Sequence, residues 1–375
     1  MKLIRGVTAG QSVGLFVDMI PDLQKNGYEV VTISSDAPHL QRIRDAGVRT
    51  IVVSMERRIS LLKDLKSLRQ LIKIFRRERP DIVHSMTPKA GLLCMIAGQL
   101  TGVPIRIHTF TGLVFPTLSG LKRRVLMATD WLTCVCATHI IPEGEGVKND
   151  LLKNGITKKP LRVLGHGNIR GINLERFNPQ LPELQMKAKE FRDESKFTFI
   201  TIGRIVGDKG INELITALCR LNREMPFTRL ILVGGYESEL DPITPLTKNE
   251  IDKNPCIIHV GIQSDVRPWL AAADCAVLAS YREGFPNVVI EAGAMGLPQI
   301  VTDINGANEI IIEGKNGTIV PSKSAEALYK AMKKMVTEAD WRKSMAANAR
   351  AMIASRYEQS YVHRCLLDFY HEINN

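Results

Sequence analysis

Two trains of short, β-branched apolar runs, each run followed by a stretch of helical spacing, share this 375-residue chain between them. In the first train, runs at residues 3–7, 29–34, 50–53, 82–85 and 105–109 alternate with helical patterns at about 13–26, 40–46, 60–79 and 89–101. The alternation breaks at Asn178-Pro179-Gln180-Leu181-Pro182. Past a short helical segment ending near Ser195 it resumes with runs at 197–202, 229–233, 257–260, 275–279, 299–302 and 317–320. Helical patterns at 211–223, 266–272 and 287–294 separate these runs, and three more at 325–337, 340–355 and 361–373 close the chain. Such a pattern leaves few folds open, because parallel strands must be joined by crossovers and the crossover helices cover both faces of the sheet. The expected fold class is α/β, with two Rossmann-like, doubly wound parallel-sheet domains facing each other across a cleft. Residues 1–178 and 179–359 make the two domains, and ligands are expected outside the carboxyl ends of the strands.

Several other classes are excluded by what the chain lacks. It has no G-x-x-x-x-G-K-[ST] loop, no G-x-G-x-x-G fingerprint, no kinase loop set and no G-x-S-x-G elbow. The seven cysteines are an odd number with no C-x-x-C pair, so neither a disulfide framework nor a zinc site is suggested. The uncharged stretch 90–105 is too short to span a bilayer, and Arg5 interrupts any secretory apolar region, so a cytoplasmic location is expected.

Charge is distributed unevenly. Residues 1–180 carry 27 Lys and Arg against 14 Asp and Glu, whereas the remainder carries 23 against 25. A front half with Arg57-Arg58, Arg76-Arg77-x-Arg79 and Lys122-Arg123-Arg124 should be drawn to an anionic partner. Nucleic acid is not expected, since aromatics are only 6% of the chain and no base-stacking strand is present. In the 60–79 helix Leu61, Leu65, Leu68, Leu71, Ile72 and Phe75 recur opposite Lys63, Lys66, Arg69, Lys73, Arg76 and Arg77. That pattern fits a covering helix with a solvated basic face, or one whose face sits near anionic lipid, a peripheral membrane surface.

The candidate chemistry lies at two strand ends of the second domain. No Asp-x-Asp pair is available to hold a divalent ion on a diphosphate, so side chains and amides must meet that charge and no metal is expected. After the run 197–202 comes Gly203-Arg204-Ile205-Val206-Gly207-Asp208-Lys209-Gly210, which sets a guanidinium fork and an ammonium on one glycine-rich turn. After the run 275–279 comes Ser280-Tyr281-Arg282-Glu283-Gly284-Phe285-Pro286-Asn287, followed by a helix carrying Glu291. Gly284 lets backbone approach a ligand, Asn287 is the expected N-cap, and the amides that start the helix make an anion site. Glu283 and Glu291 can both accept hydrogen bonds from sugar hydroxyls. Glu291 alone could equally complement the helix dipole.

Gly203-Arg204 with Lys209-Gly210, followed by Glu283-Gly-Phe-Pro-Asn-Val-Val-Ile-Glu291, resembles the retaining nucleotide-sugar glycosyltransferases of the two-Rossmann-domain (GT-B) type, family 4. The front half is similar to the capsule and surface-polysaccharide branch of that family. Pro80-Asp81-Ile82-Val83-His84, Thr87-Pro88-Lys89-Ala90-Gly91, His108-Thr109-Phe110-Thr111-Gly112-Leu113 and Gly165-x-Gly167 carry the similarity.

The resemblance implies that Arg204 and Lys209 hold the donor diphosphate, Glu283 the transferred sugar and Glu291 the ribose. It also implies that Gly203, Gly284, Phe285, Pro286, Asn287 and Val288 surround sugar and phosphate, and that Gly261 and Ile262 line the base. The turn around Gly14 would close on the phosphate, and the last helix, about 360–375, would cross back onto the first domain. Thr111 stands where branch members often carry a second His near the reacting carbon. Its hydroxyl can donate a hydrogen bond there but cannot accept a proton at neutral pH.

The expected activity is transfer of a hexose or N-acetylhexosamine from a nucleotide-diphosphate sugar, UDP-linked, to a glycan or lipid-diphosphate-sugar acceptor, with no cofactor. A nucleotide-sugar 2-epimerase and a non-catalytic sugar-nucleotide-binding protein are the alternatives.

Overall fold

The computed structural model describes residues 1–56, 60–237 and 241–374. Arg57 and Arg58, part of the basic clusters noted above, lie outside the described residues. The chain forms two compact units, Met1–Gly171 with Ser360–Asn375, and Ile172–Gln359.

The first unit runs β1 (Lys2–Gly6), α1 (Ile20–Lys25), β2 (Glu29–Ser34), α2 (Gln41–Asp45), β3 (Arg49–Val52), α3 (Leu61–Glu78), β4 (Ile82–Ser85), α4 (Pro88–Thr101), β5 (Ile105–Phe110), α5 (Gly120–Cys136), β6 (His139–Pro142) and α6 (Glu145–Lys153). Its six parallel strands are ordered β3-β2-β1-β4-β5-β6. Side chains alternate across this sheet. Ile4, Val31 and Val83 join one buried cluster with α3, α4 and α5, while their neighbours Leu3, Val30 and Ile82 join another on the opposite face.

The second unit runs α7 (Pro182–Phe191), β7 (Phe197–Ile202), α8 (Ile211–Glu224), β8 (Thr228–Val233), α9 (Pro245–Lys253), β9 (Ile257–Gly261), α10 (Arg267–Ala271), β10 (Cys275–Leu278), α11 (Asn287–Ala294), β11 (Gln299–Thr302), α12 (Ala307–Ile310), β12 (Gly317–Val320), α13 (Ala325–Thr337) and α14 (Ala339–Tyr357). Its strand order β12-β11-β10-β7-β8-β9 is, counted within the unit, the same as that of the first. The last helix, α15 (Gln359–Asn374), belongs to the first unit from Ser360 on, where Leu366, Phe369 and Tyr370 are buried in the cluster around Leu3 and Val7. Among the described residues, no helix is long and apolar enough to cross a membrane.

Three expectations are corrected. The 13–26 stretch is not one helix: it makes two 3-10 turns, Gly10–Leu15 and Val17–Met19, before α1 begins with Pro21 in its first turn. Proline supplies no amide for a helix interior and is confined to such a start. The units divide after Gly171 rather than 178, because Ile172 and Phe177 are buried in the second unit's core. The Ile172 amide donates to Tyr357 O at 2.8 Å, and Arg350 donates to Leu174 O at 2.8 Å. The segment 120–153, passed over in the strand–helix pattern, holds α5, β6 and α6. In α5, apolar side chains occur all round: Leu126 and Met127 pack on the core while Leu121 and Trp131 are exposed, so no single stripe marks the helix.

Candidate functional site

Where β7 and β10 lie side by side the strand connections of the second unit reverse direction, and their carboxyl ends open on a cavity of about 330 Å3. Ile202, Gly203, Arg204 and Lys209 line it from the β7 side, and Ser280, Glu283, Phe285, Pro286, Asn287 and Val288 from the β10 side.

Two glycines explain why these loops meet. Gly210, which opens α8, has φ +67°, and a Cβ there would fall 2.0 Å from the carbonyl oxygen of Ala279 at the end of β10. Only glycine lets the turn carrying Lys209 press against the neighbouring strand. Gly306, ahead of α12, has φ +76°, and a Cβ there would fall 2.4 Å from Gly284 O, so the β11 connection buttresses the Glu283 loop from behind. Hydrogen bonds complete the join. The Tyr281 amide donates to Asp208 O at 2.8 Å, and Arg282 donates to the Asp208 carboxylate at 2.9 Å.

The charges in the cavity are paired. Lys209 donates to Glu283, whose Oε1 also accepts from the Ser280 hydroxyl at 2.8 Å. Arg204 donates to Glu237, which follows β8. Tyr281, whose hydroxyl donates to Glu213 at 2.6 Å, has its pKa raised, first by burial and then by that acceptor.

Not every expected residue lies in this cavity. Glu291 sits one turn into α11, half-buried, outside the lining, and Gly284 contributes backbone beneath Gly306. Gly261 and Ile262, at the end of β9, do not line it either; Gly261 O accepts from the Gly234 amide at 2.9 Å and Ile262 is 84% exposed. Asn287 is not the N-cap. Pro286, extended at φ −74° and ψ 103°, holds that place and Asn287 is the first helical residue.

In the first unit, Gly14 lies in the 3-10 turn after β1, with open space beside it. Thr111 follows β5 and donates to Met86 O at 2.9 Å. His84 and His108, which end and begin two of the quoted segments of the front half, are buried in β4 and β5 with hydrogen-bond partners. His84 is fully buried between the Tyr370 hydroxyl at 2.6 Å and the Thr109 hydroxyl at 2.7 Å, and His108 meets the Ser85 hydroxyl at 2.8 Å. Burial holds the His84 pKa well down, with the Arg5 charge adding to the effect, and burial pushes His108 down to about 3.

The chain is similar to known proteins. Residues 183–352 match the family model of glycosyl transferases group 1, and residues 16–167 match that of the glycosyl transferase 4-like domain. The chain is 32% identical over 362 residues, 96% of its length and 94% of the other's, to the capsular polysaccharide biosynthesis glycosyltransferase CapM of Staphylococcus aureus. The chain belongs to the group 1 glycosyltransferase family.

It falls in the capsule and surface-polysaccharide branch of that family. It is 28% identical, over 95% of its length and 91% of the other's, to an Escherichia coli enzyme named UDP-Gal:alpha-D-GlcNAc-diphosphoundecaprenol alpha-1,3-galactosyltransferase. The fold is that of GT-B structures. Anabaena HepE, solved with UDP, superposes with a TM-score of 0.82 at 17% identity, covering 99% of this chain and 100% of the other. WaaG, a glycosyltransferase involved in lipopolysaccharide biosynthesis, gives 0.75 at 17%, covering 97% and 98%.

Two residues beside the glycosyltransferase's cavity, Glu237 against Arg204 and Gly306 behind the Glu283 loop, are not marked out by the motifs. Glu237 follows Gly234-Gly235-Tyr236, a glycine pair just after a strand that could have drawn attention to that end. Gly306 follows Asn305 in an Asn-Gly pair just after a strand, a turn signal, but its need for a bare Cα comes from the Gly284 backbone across the sheet.

Proposed function

We propose that this glycosyltransferase moves a hexose or N-acetylhexosamine from a UDP-sugar to a lipid-diphosphate-linked glycan, with retention, without a metal, and at the cytoplasmic face of a membrane. The observation that carries the reading is the convergence of Arg204, Lys209 and Glu283 on one cavity at the second unit's switch point. Among the described residues no three His, Cys, Asp or Glu side chains gather in a way that could hold a metal ion. The diphosphate charge is met in this reading by the two cations and by the amides at the start of α11.

In this reading the diphosphate takes Lys209 and releases Glu283 toward the sugar hydroxyls. Glu291 takes the ribose, Gly261 and Ile262 the base, and the turn at Gly14 the phosphate. The bond from the anomeric carbon to the diphosphate oxygen breaks while the acceptor oxygen bonds to the same face of that carbon, and the acceptor's proton passes to the leaving oxygen. No side-chain base is required, and the Thr111 hydroxyl would serve as a hydrogen-bond donor near the reacting carbon by turning its one proton away from Met86 O.

UDP and a lipid-linked acceptor are supported by the names of relatives. A further one, from Campylobacter jejuni and 26% identical over 97% of each chain, is an N,N'-diacetylbacillosaminyl-diphospho-undecaprenol alpha-1,3-N-acetylgalactosaminyltransferase. A membrane surface is supported by α3, where Leu61 and Leu62 are more than 80% exposed beside Lys63 and Lys66, and by exposed Leu121 beside Lys122 on α5.

One experiment tests the donor, the acceptor, the membrane surface and the metal independence, and the anomeric configuration of the labelled product, read by NMR, tests retention. The protein is melted against a panel of nucleotide sugars in EDTA, and the best stabiliser is then supplied with vesicles carrying a lipid-diphosphate sugar. A UDP-sugar should raise the melting temperature and label the lipid, more on anionic than on neutral vesicles. No stabilisation by any UDP-sugar would overturn the donor assignment, and loss of transfer in EDTA would overturn metal independence.

A further inference from the structure

The Arg204 guanidinium has a resident anion, Glu237, to which neither the family motifs nor the reading above gives a part. Backbone contacts deliver it there. A Cβ on Gly234 would fall 1.7 Å from Gly203 O, so the end of β8 is pressed directly onto the end of β7, where Arg204 begins. The Ile205 amide donates to Gly235 O at 2.9 Å, and Ile205 bridges to Tyr236, which sets the next residue, Glu237, opposite Arg204. Most exposed ion pairs contribute little because two long side chains must be ordered to make them. Here the two backbones are already fastened at adjacent residues, so the pair costs less to order.

We infer that Glu237 is a counter-ion that competes with the donor's diphosphate for Arg204 and thereby sets nucleotide affinity. The inference rests on the diphosphate role of Arg204 stated under the proposed function. A guanidinium offers its donors in a fixed planar fork, and a diphosphate that uses the fork must displace the carboxylate or share it. Displacement breaks an ion pair, and sharing sets two anions side by side. Either way the negative charge at position 237 raises the dissociation constant for a diphosphate and leaves a neutral nucleoside unaffected.

The test is calorimetric titration of UDP and of uridine into the unaltered protein, Glu237→Gln, Arg204→Gln and the double variant. Glutamine keeps the shape and removes the charge. Glu237→Gln should bind UDP about 3- to 10-fold tighter at low salt, less so at high salt, as expected for a partly exposed charge. Uridine affinity should not change, and in the Arg204→Gln background the gain should shrink to less than about half, since the guanidinium is the shared partner. A misfolded variant would lose affinity, so a gain reads the counter-ion role and not structural damage. Equal or weaker UDP binding by Glu237→Gln that still binds uridine as the unaltered protein does, with the unaltered protein binding UDP normally, overturns this inference alone. No UDP binding by the unaltered protein overturns the donor reading and this inference with it.

Discussion

At the second unit's switch point, between β7 and β10, the strand ends stand apart around a cavity whose Lys209 and Arg204 are held by Glu283 and Glu237. At the corresponding place in the first unit, between β1 and β4, the Thr8 and Thr87 hydroxyls meet at 2.8 Å, and the Thr8 amide donates to Thr87 at 2.8 Å. Behind them Arg5 is 1% exposed, donating to the Tyr370 hydroxyl and the Met86 sulfur, and it is found in no ion pair among the described residues. The strand order is the same in both, so topology alone does not set the chemistry of a crevice. The side chains after each strand decide whether hydroxyls bonded to each other or paired charges stand at its mouth.

The sharpest way to break this contrast is to remove a cation from the charged crevice. Lys209→Ala or Arg204→Ala should weaken UDP binding by about 1.5–3 kcal/mol, the scale of a charge-assisted hydrogen bond, measurable by titration calorimetry. Unchanged affinity in both would mean that the second crevice is no more a phosphate site than the first.

Glu283→Gln separates charge from shape at the same place. It should lower kcat about 30-fold, roughly 2 kcal/mol of transition-state stabilisation, while UDP affinity holds or rises because Lys209 loses its competing anion. Loss of UDP affinity with turnover intact would move the sugar contact from Glu283 to Glu291.

The smallest effect belongs to the first unit. His84 and His108 have folded-state pKa values below those of an unfolded chain, so they stay neutral where unfolded imidazoles gain protons, and stability falls as pH drops below about 6.5. Asp130 on α5, raised by burial to about 7, opposes them, because the native carboxyl binds its proton first. His139, also lowered by burial, acts with the two buried histidines, so between pH 7 and 5 the first unit should lose stability on balance. Hydrogen exchange of peptides from β4 and β5, compared with β7 and β8, measures it. Equal protection of the first unit's strands at both pH values would show that the buried histidines do not carry the acid response.

Much of the candidate site was legible because its chemistry is local. The Gly203–Lys209 turn and the Glu283–Asn287 loop each follow a strand within a few residues, and short-range spacing records such features directly. Glu237 was not legible, since its meeting with Arg204 depends on the two strand ends touching at Gly203 and Gly234. Asn287 was misjudged as a cap because Asn is a common capping residue, whereas here Pro286 supplies the last extended position.

The sequence by itself determined the α/β class and most of the strands, because the period of apolar residues follows from which faces of a strand or helix are buried. It also determined two clusters of polar groups, the cations at 203–210 and the carboxylates and helix amides at 283–291, each compact along the chain. The tertiary structure decided which of those groups share a cavity and which anions already hold its cations. It also decided that the last helix belongs with the first sheet, where Tyr370 meets Arg5 and His84. Those outcomes depend on contacts between residues tens to hundreds of positions apart, made by packing and close backbone approach, which leave no periodic trace in the local sequence.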